Sequence, residues 1–185
     1  AFFSKVIFPR YLIFFASLLV ITATYFFIRT RKKLLLYLLM GTLLLVNGYF
    51  DYTILFAYTK IPFPAVDRGQ YVNGITAGWG VKEIMETARE ISQEKPVIIL
   101  AEGNFGLIAD MLAVYQQPND KIEIRGYWPL GEKELLENQK ELKDKYVLVA
   151  FSHRQEFTSN WPIRLIKKYP KPDSKLAYHL FLLKE

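Results

Sequence analysis

The 185-residue chain contains no cysteine and only two histidines, His153 and His179. The missing thiols exclude disulfides, thiolate metal sites and cysteine nucleophiles, and two imidazoles far apart in sequence make a poor structural zinc site. No Gly-x-Ser-x-Gly elbow occurs, and the adjacent Ser152 and His153 point their side chains apart, so serine hydrolase chemistry is not expected. Neither nucleotide-binding fingerprint is present, and no motif implies a cofactor. Acidic residues are scarce at one end. Residues 1–60 hold seven basic side chains (Lys5, Arg10, Arg29, Arg31, Lys32, Lys33, Lys60) against Asp51 alone. The whole chain has 24 basic and 18 acidic residues, so the remainder carries 17 of each. The net charge of +6 therefore belongs to the apolar part. No basic domain is left to neutralise phosphates, which argues against a nucleic-acid partner.

Two long apolar runs dominate that first part. Tyr11 to Ile28 has no charge, and Leu34 to Ala57 has only Asn47 and Asp51 as strongly polar members. Helices of these lengths reach about 27 and about 36 Å, against a bilayer hydrocarbon core of about 30 Å. The intervening Arg29-Thr30-Arg31-Lys32-Lys33 allows only a tight reversal, so residues 1–60 are expected to form an antiparallel transmembrane hairpin with the lipid bilayer as partner. Four positive charges place that loop in the cytoplasm and both ends outside. Phe2, Phe3, Phe8, Tyr11, Tyr49, Phe50, Tyr52, Phe56 and Tyr58 crowd the outer ends, where amphipathic rings favour the interface. A cleaved signal fits poorly, because the basic cluster follows the first apolar run instead of preceding it. A chain that starts at Ala1 directly before a span reads as a piece of a longer polytopic protein. Asp51 lies about 26 Å along its helix from Leu34, near the outer interface. There it either faces a polar cavity or a lipid phosphate's metal ion, or is a hydrated group paired with Lys60.

Pro62 and Pro64 disfavour helix, so residues 61–78 read as an extended linker. Residues 79–185 then alternate. Val81, Ile84, Met85, Ala88 and Ile91 recur at helical spacing, and Val97 to Ala101 is an unbroken apolar run of the kind found in buried parallel strands. A second helix carries Ile108, Met111, Leu112 and Tyr115 inward. Ile122 to Trp128 reads as a strand, Glu132 to about Lys143 as a helix with Leu135, Leu136 and Leu142 inward, and Tyr146 to Phe151 as a strand. Asn160 caps a short helix with Pro162 in its first turn, ending at Tyr169-Pro170, and Leu176 to Leu183 is the last strand. The expected fold is a small three-layer, mostly parallel α/β domain.

In such sheets ligands gather at the carboxyl ends of the strands. Those ends hold Glu102 and Asn104, then Tyr127 and Trp128, then Ser152, His153, Arg154 and Gln155. A carboxylate, an indole, an imidazole and a guanidinium there suit a sugar, stacked on the aromatic face and held through its hydroxyls; the plainer reading is a set of ordinary loop residues. Gly103 and Gly106 resemble a phosphate-cradling turn, but the Gly-x-x-Gly spacing falls short of a fingerprint and Glu102 would repel phosphate. His179, inside the apolar last strand, reads as a structural histidine. The candidate substrate-binding residues are therefore Glu102, Asn104, Trp128, His153, Arg154 and Asp51, with no catalytic residue or metal ligand assigned.

The stretch Asp67-Arg68-Gly69-Gln70-Tyr71-Val72-Asn73-Gly74, continued by Ala77-Gly78-Trp79-Gly80-Val81-Lys82-Glu83, resembles the segment after the last membrane helix of bacterial multi-spanning glycosyltransferases similar to family 39, relatives of protein O-mannosyltransferases and aminoarabinose transferases. Glu102-Gly103-Asn104-Phe105-Gly106 and Gly126-Tyr127-Trp128-Pro129 resemble the outer domain of that group. The resemblance implies an integral protein of the cytoplasmic membrane that takes a sugar from a polyprenyl-phosphate donor to an acceptor on the outer side. It implies a catalytic acid in an outer loop upstream of Ala1, and an extracytoplasmic domain here that shapes the acceptor site or acts as a scaffold. A membrane-tethered α/β binding or sensor module without catalysis fits the composition equally.

Overall fold

A computed structural model describes residues 13–185. The chain falls into two compact units, divided between Asp67 and Arg68.

The first unit contains α1 (Ile13–Arg29) and α2 (Lys33–Phe56), joined through Thr30, Arg31 and Lys32. α2 is long and apolar enough to cross a bilayer. α1 has 17 described residues and falls short of that length, so among the described residues one helix meets the requirement where two were expected. Tyr11 of the expected first span lies outside the described residues, as do Lys5, Arg10 and the rings of Phe2, Phe3 and Phe8. The apolar side chains of α2 are exposed, Leu44 at 69% and Leu45 at 77%, which distinguishes it from the core helix of a globular domain. Its polar side chains bond back within the helix: Thr42 Oγ1 donates to the Leu38 carbonyl at 2.9 Å and Asn47 Nδ2 to the Leu43 carbonyl at 2.8 Å. Hydrocarbon demands such internal satisfaction.

The segment read as an extended linker is partly helical. α3 (Ala65–Arg68) continues into a π turn at Gly69–Asn73. Pro62 and Pro64 restrict themselves and the residues before them, and nothing beyond Ala65 carries that restriction. Gly74 closes the turn against the Gly69 carbonyl, whose oxygen would stand 1.8 Å from any Cβ at position 74.

The second unit is built on five strands, β1 (Val97–Glu102), β2 (Ile122–Tyr127), β3 (Tyr146–Phe151), β4 (Ile163–Pro170) and β5 (Ala177–Leu183), in the order β2-β1-β3-β5-β4. β1 pairs in parallel with β2 and β3, whereas β5 runs antiparallel to both β3 and β4. The sheet is therefore mixed, not mostly parallel. Three helices cover it: α4 (Val81–Ser92), α5 (Ile108–Val114) and α6 (Glu132–Asn138), the last prolonged by a 3-10 turn at Gln139–Lys143. Alternation along β1 sorts the core into two layers. Val97, Ile99 and Ala101 pack with Val81, Ile84, Met85 and Ala88 of α4 and with Ile108 and Leu112 of α5. Ile98 and Leu100 face the other way, onto Leu130, Leu135 and Phe151. Two expected core positions point outward instead, Leu136 at 51% and Tyr115 at 42% exposure.

The helix expected after Asn160 is the strand β4. Its residues pair with β5, whose outer row of backbone groups would otherwise lack partners. Lys167, Lys168 and a bulge between Leu165 and Lys167 blunt this new edge against further pairing.

Candidate ligand face

β1 leads through α5 to β2 on one side, while β3 leads away to β4 and β5 on the other, so the carboxyl ends of β1 and β3 form the switch point where open sheets hold ligands. Here that crevice is filled from within. The Glu102 side chain at the end of β1 is 4% exposed, and its Oε2 accepts the backbone N–H groups of Ser152, His153 and Arg154 at 2.9, 2.6 and 3.0 Å. Successive amides curled round one oxygen make an anion nest, and the protein's own carboxylate occupies it.

A second set of amides is used in the same manner. The Gly103–Gly106 turn resembles a phosphate cradle, yet the Gly106 N–H donates to Asp110 Oδ2 at 2.5 Å, from the first turn of α5. The Gly103 N–H donates to the Tyr127 carbonyl at 2.7 Å.

What stays open lies beside β2. A groove of about 430 Å³ is lined by Asn104, Phe105, Leu107 and Trp128. Asn104 projects over β2, where a Cβ on Gly126 would stand 1.8 Å from its Oδ1; glycine at 126 is what admits the amide. Trp128 is 59% exposed, and the His153 ring meets it edge-on with centroids 5.1 Å apart. Such edge-to-face contacts orient an indole while leaving a face free. Arg154 does not join this group: its guanidinium lies 4.8 Å over the Trp161 ring, and its Nε is buried without a hydrogen-bond partner among the described residues.

The structure thus brings Asn104, Trp128 and His153 to one rim, commits Glu102 to the backbone beneath it, and stacks Arg154 elsewhere. Asp51 is exposed on α2 in the first unit. Charges on the neighbouring sheet edge are also spoken for. Arg125 Nε pairs with Glu123 at 2.7 Å and its Nη1 with Asn138 and Glu141 at 2.8 and 3.2 Å, and Lys145 joins both acids. Hydrogen bonding to Arg125 holds the Glu123 carboxyl below its usual range.

A larger hollow of about 460 Å³ lies near the start of β3, lined by Glu90, Ile91, Glu94, Tyr146, Arg164, Ile166 and Leu182. Its polar lining is the acids Glu90 and Glu94, the Arg164 side chain and Tyr146, whose hydroxyl donates to Glu94 at 3.2 Å.

Two residues escaped the sequence reading. Phe105 is 98% exposed and sits at φ 57° between two positive-φ glycines; the flanking glycines signalled a turn but not which residue it would present. Lys171 is 3% exposed, donates to the Ile75 carbonyl at 3.3 Å and to that of Ala77, and lies 3.8 Å over the Tyr178 ring. Nothing in Pro-Lys-Pro marked it as buried. His179 is buried against Phe157 and Phe181, and burial lowers its pKa. No family model, curated protein or solved structure matches the chain.

Proposed function

We propose that this chain is the C-terminal part of an integral membrane glycosyltransferase similar to family 39. In this reading α1 and α2 form a hairpin in the cytoplasmic membrane, and the α/β unit lies outside and holds the acceptor that receives sugar from a polyprenyl-phosphate donor. The observation that supports it best is the groove at the carboxyl end of the sheet, where Trp128 offers a ring face and Asn104 an amide. An indole face covers the apolar face of a sugar, and an amide both donates to and accepts from hydroxyls. The chain's contribution would be positioning: it holds the acceptor and keeps it oriented, while proton transfer belongs to residues upstream.

A second reading, a tethered binding module, draws on the fate of Glu102. Its carboxylate already accepts three N–H groups and is poorly placed to act as a general base.

Acceptor kinetics of the membrane-embedded protein test the proposal. Trp128→Ala should lower kcat/KM for the acceptor by about 1–3 kcal/mol, roughly fivefold to 150-fold. Lys140→Ala, on the exposed 3-10 turn, should change nothing, and neither should Arg154→Ala, because that side chain stacks on Trp161. Wild-type kinetics for Trp128→Ala would remove the acceptor-binding role.

A further inference from the structure

We infer that the groove takes an uncharged sugar ring, gripped between Phe105 and Trp128; this rests on the reading of the carboxyl edge as the acceptor face. Phe105 is an unexpected residue at its position. A bulky side chain at φ 57° is strained, and asparagine or glycine would occupy the same backbone at less cost. The turn does not depend on the ring. It is set by Gly103 at φ 100°, whose missing Cβ leaves room for Leu107, by Gly106 at φ 78°, and by the Asp110 carboxylate that accepts the Gly106 N–H. The Phe105 ring, 98% exposed, therefore contributes nothing to the core and stands out from the turn on the groove that Trp128 also lines.

The charge of the occupant follows from the amides. The nest formed by Ser152, His153 and Arg154 is occupied by Glu102, and the Gly106 N–H is bound to Asp110. An anionic ligand would find these amides already taken by two carboxylates, whereas a neutral ring meets two aromatic surfaces and the Asn104 amide, to which no described residue hydrogen-bonds.

The test is saturation-transfer NMR on the full chain in lipid nanodiscs, with cellotriose and mannotriose as neutral probes and trigalacturonic acid as the anionic one. At least one neutral trisaccharide should bind, and the anionic one about tenfold more weakly or not at all. Phe105→Gly and Phe105→Asn should each weaken the neutral probe by about tenfold while melting no lower than wild type, because both relieve the strained backbone. A purely structural Phe105 would give the opposite pair of results. Loss of binding in Trp128→Ala with full binding in Phe105→Gly would overturn the inference and leave the acceptor face standing. Equal binding of the anionic probe, or no binding of either neutral probe, would also overturn it. The bilayer is the competing occupant. In this cysteine-free chain a Phe105→Cys thiol shielded from water-soluble maleimide by nanodisc lipid alone would assign the groove to the membrane and refute the sugar.

Discussion

Lys171 shows how a single residue couples charge to the fold. Its ammonium is buried over the Tyr178 ring, with the carbonyls of Ile75 and Ala77 as acceptors and no carboxylate paired to it among the described residues, and burial lowers its pKa from 10.5 to about 8. Below pH 8 both folded and unfolded chains carry the proton and the full penalty of burying a cation is present. Between pH 8 and 10.5 the unfolded chain binds more protons, so stability rises with pH. The gap corresponds to at most about 3 kcal/mol. Tyr178, whose hydroxyl burial pushes up, works against this above pH 10, since the unfolded phenol ionises first. Denaturation of the second unit should therefore become harder from pH 7.5 to 9.5, and Lys171→Met should abolish that rise; a flat wild-type profile would contradict the burial. At this scale the sequence showed Asn104, Trp128 and His153 because they sit at strand ends, which apolar runs locate well. It hid the role of Glu102, whose three donors come from backbone on another strand, and it misplaced Arg154, because nothing local reveals the Trp161 ring beneath it.

Among the elements, β1 and β3 are tied at their carboxyl ends by Glu102 more tightly than strand pairing alone requires. Glu102→Ala would leave three backbone N–H groups, one of them in buried Ser152, without their acceptor. A loss of about 2–5 kcal/mol follows, read as a lower melting temperature together with faster amide exchange at Ser152, His153 and Arg154. Unchanged exchange there would show that the nest holds its shape without the carboxylate. Strands β1, β3 and β5 were legible from their apolar runs, β2 from its place in the alternation of strands and helices, and α4 from its helical period. β4 was not. Its residues are mostly exposed, Tyr169 alone being buried, so they give neither a strand alternation nor a buried run. Only the unpaired edge of β5 decides their conformation, and that edge exists only once the sheet has formed. The switch from an expected helix to this strand is what turns a mostly parallel sheet into a mixed one.

For the molecule as a whole, the central claim is an apolar anchor with an α/β unit outside the membrane that offers a ligand face. Composition already separated the two parts, because all the net charge falls in residues 1–60, and the structure divides the chain near the same place, between Asp67 and Arg68. The loop after α1 carries the charge that would hold it in the cytoplasm. The absence of cysteine allows single reporters to be placed without background. Thr30→Cys probes the loop, and Glu137→Cys probes an exposed position on α6. With a membrane-impermeant maleimide applied to intact cells, position 137 should react and position 30 should be protected until the membrane is opened. Reaction at position 30 with protection at 137 would put the α/β unit in the cytoplasm, away from any acceptor on the outer side.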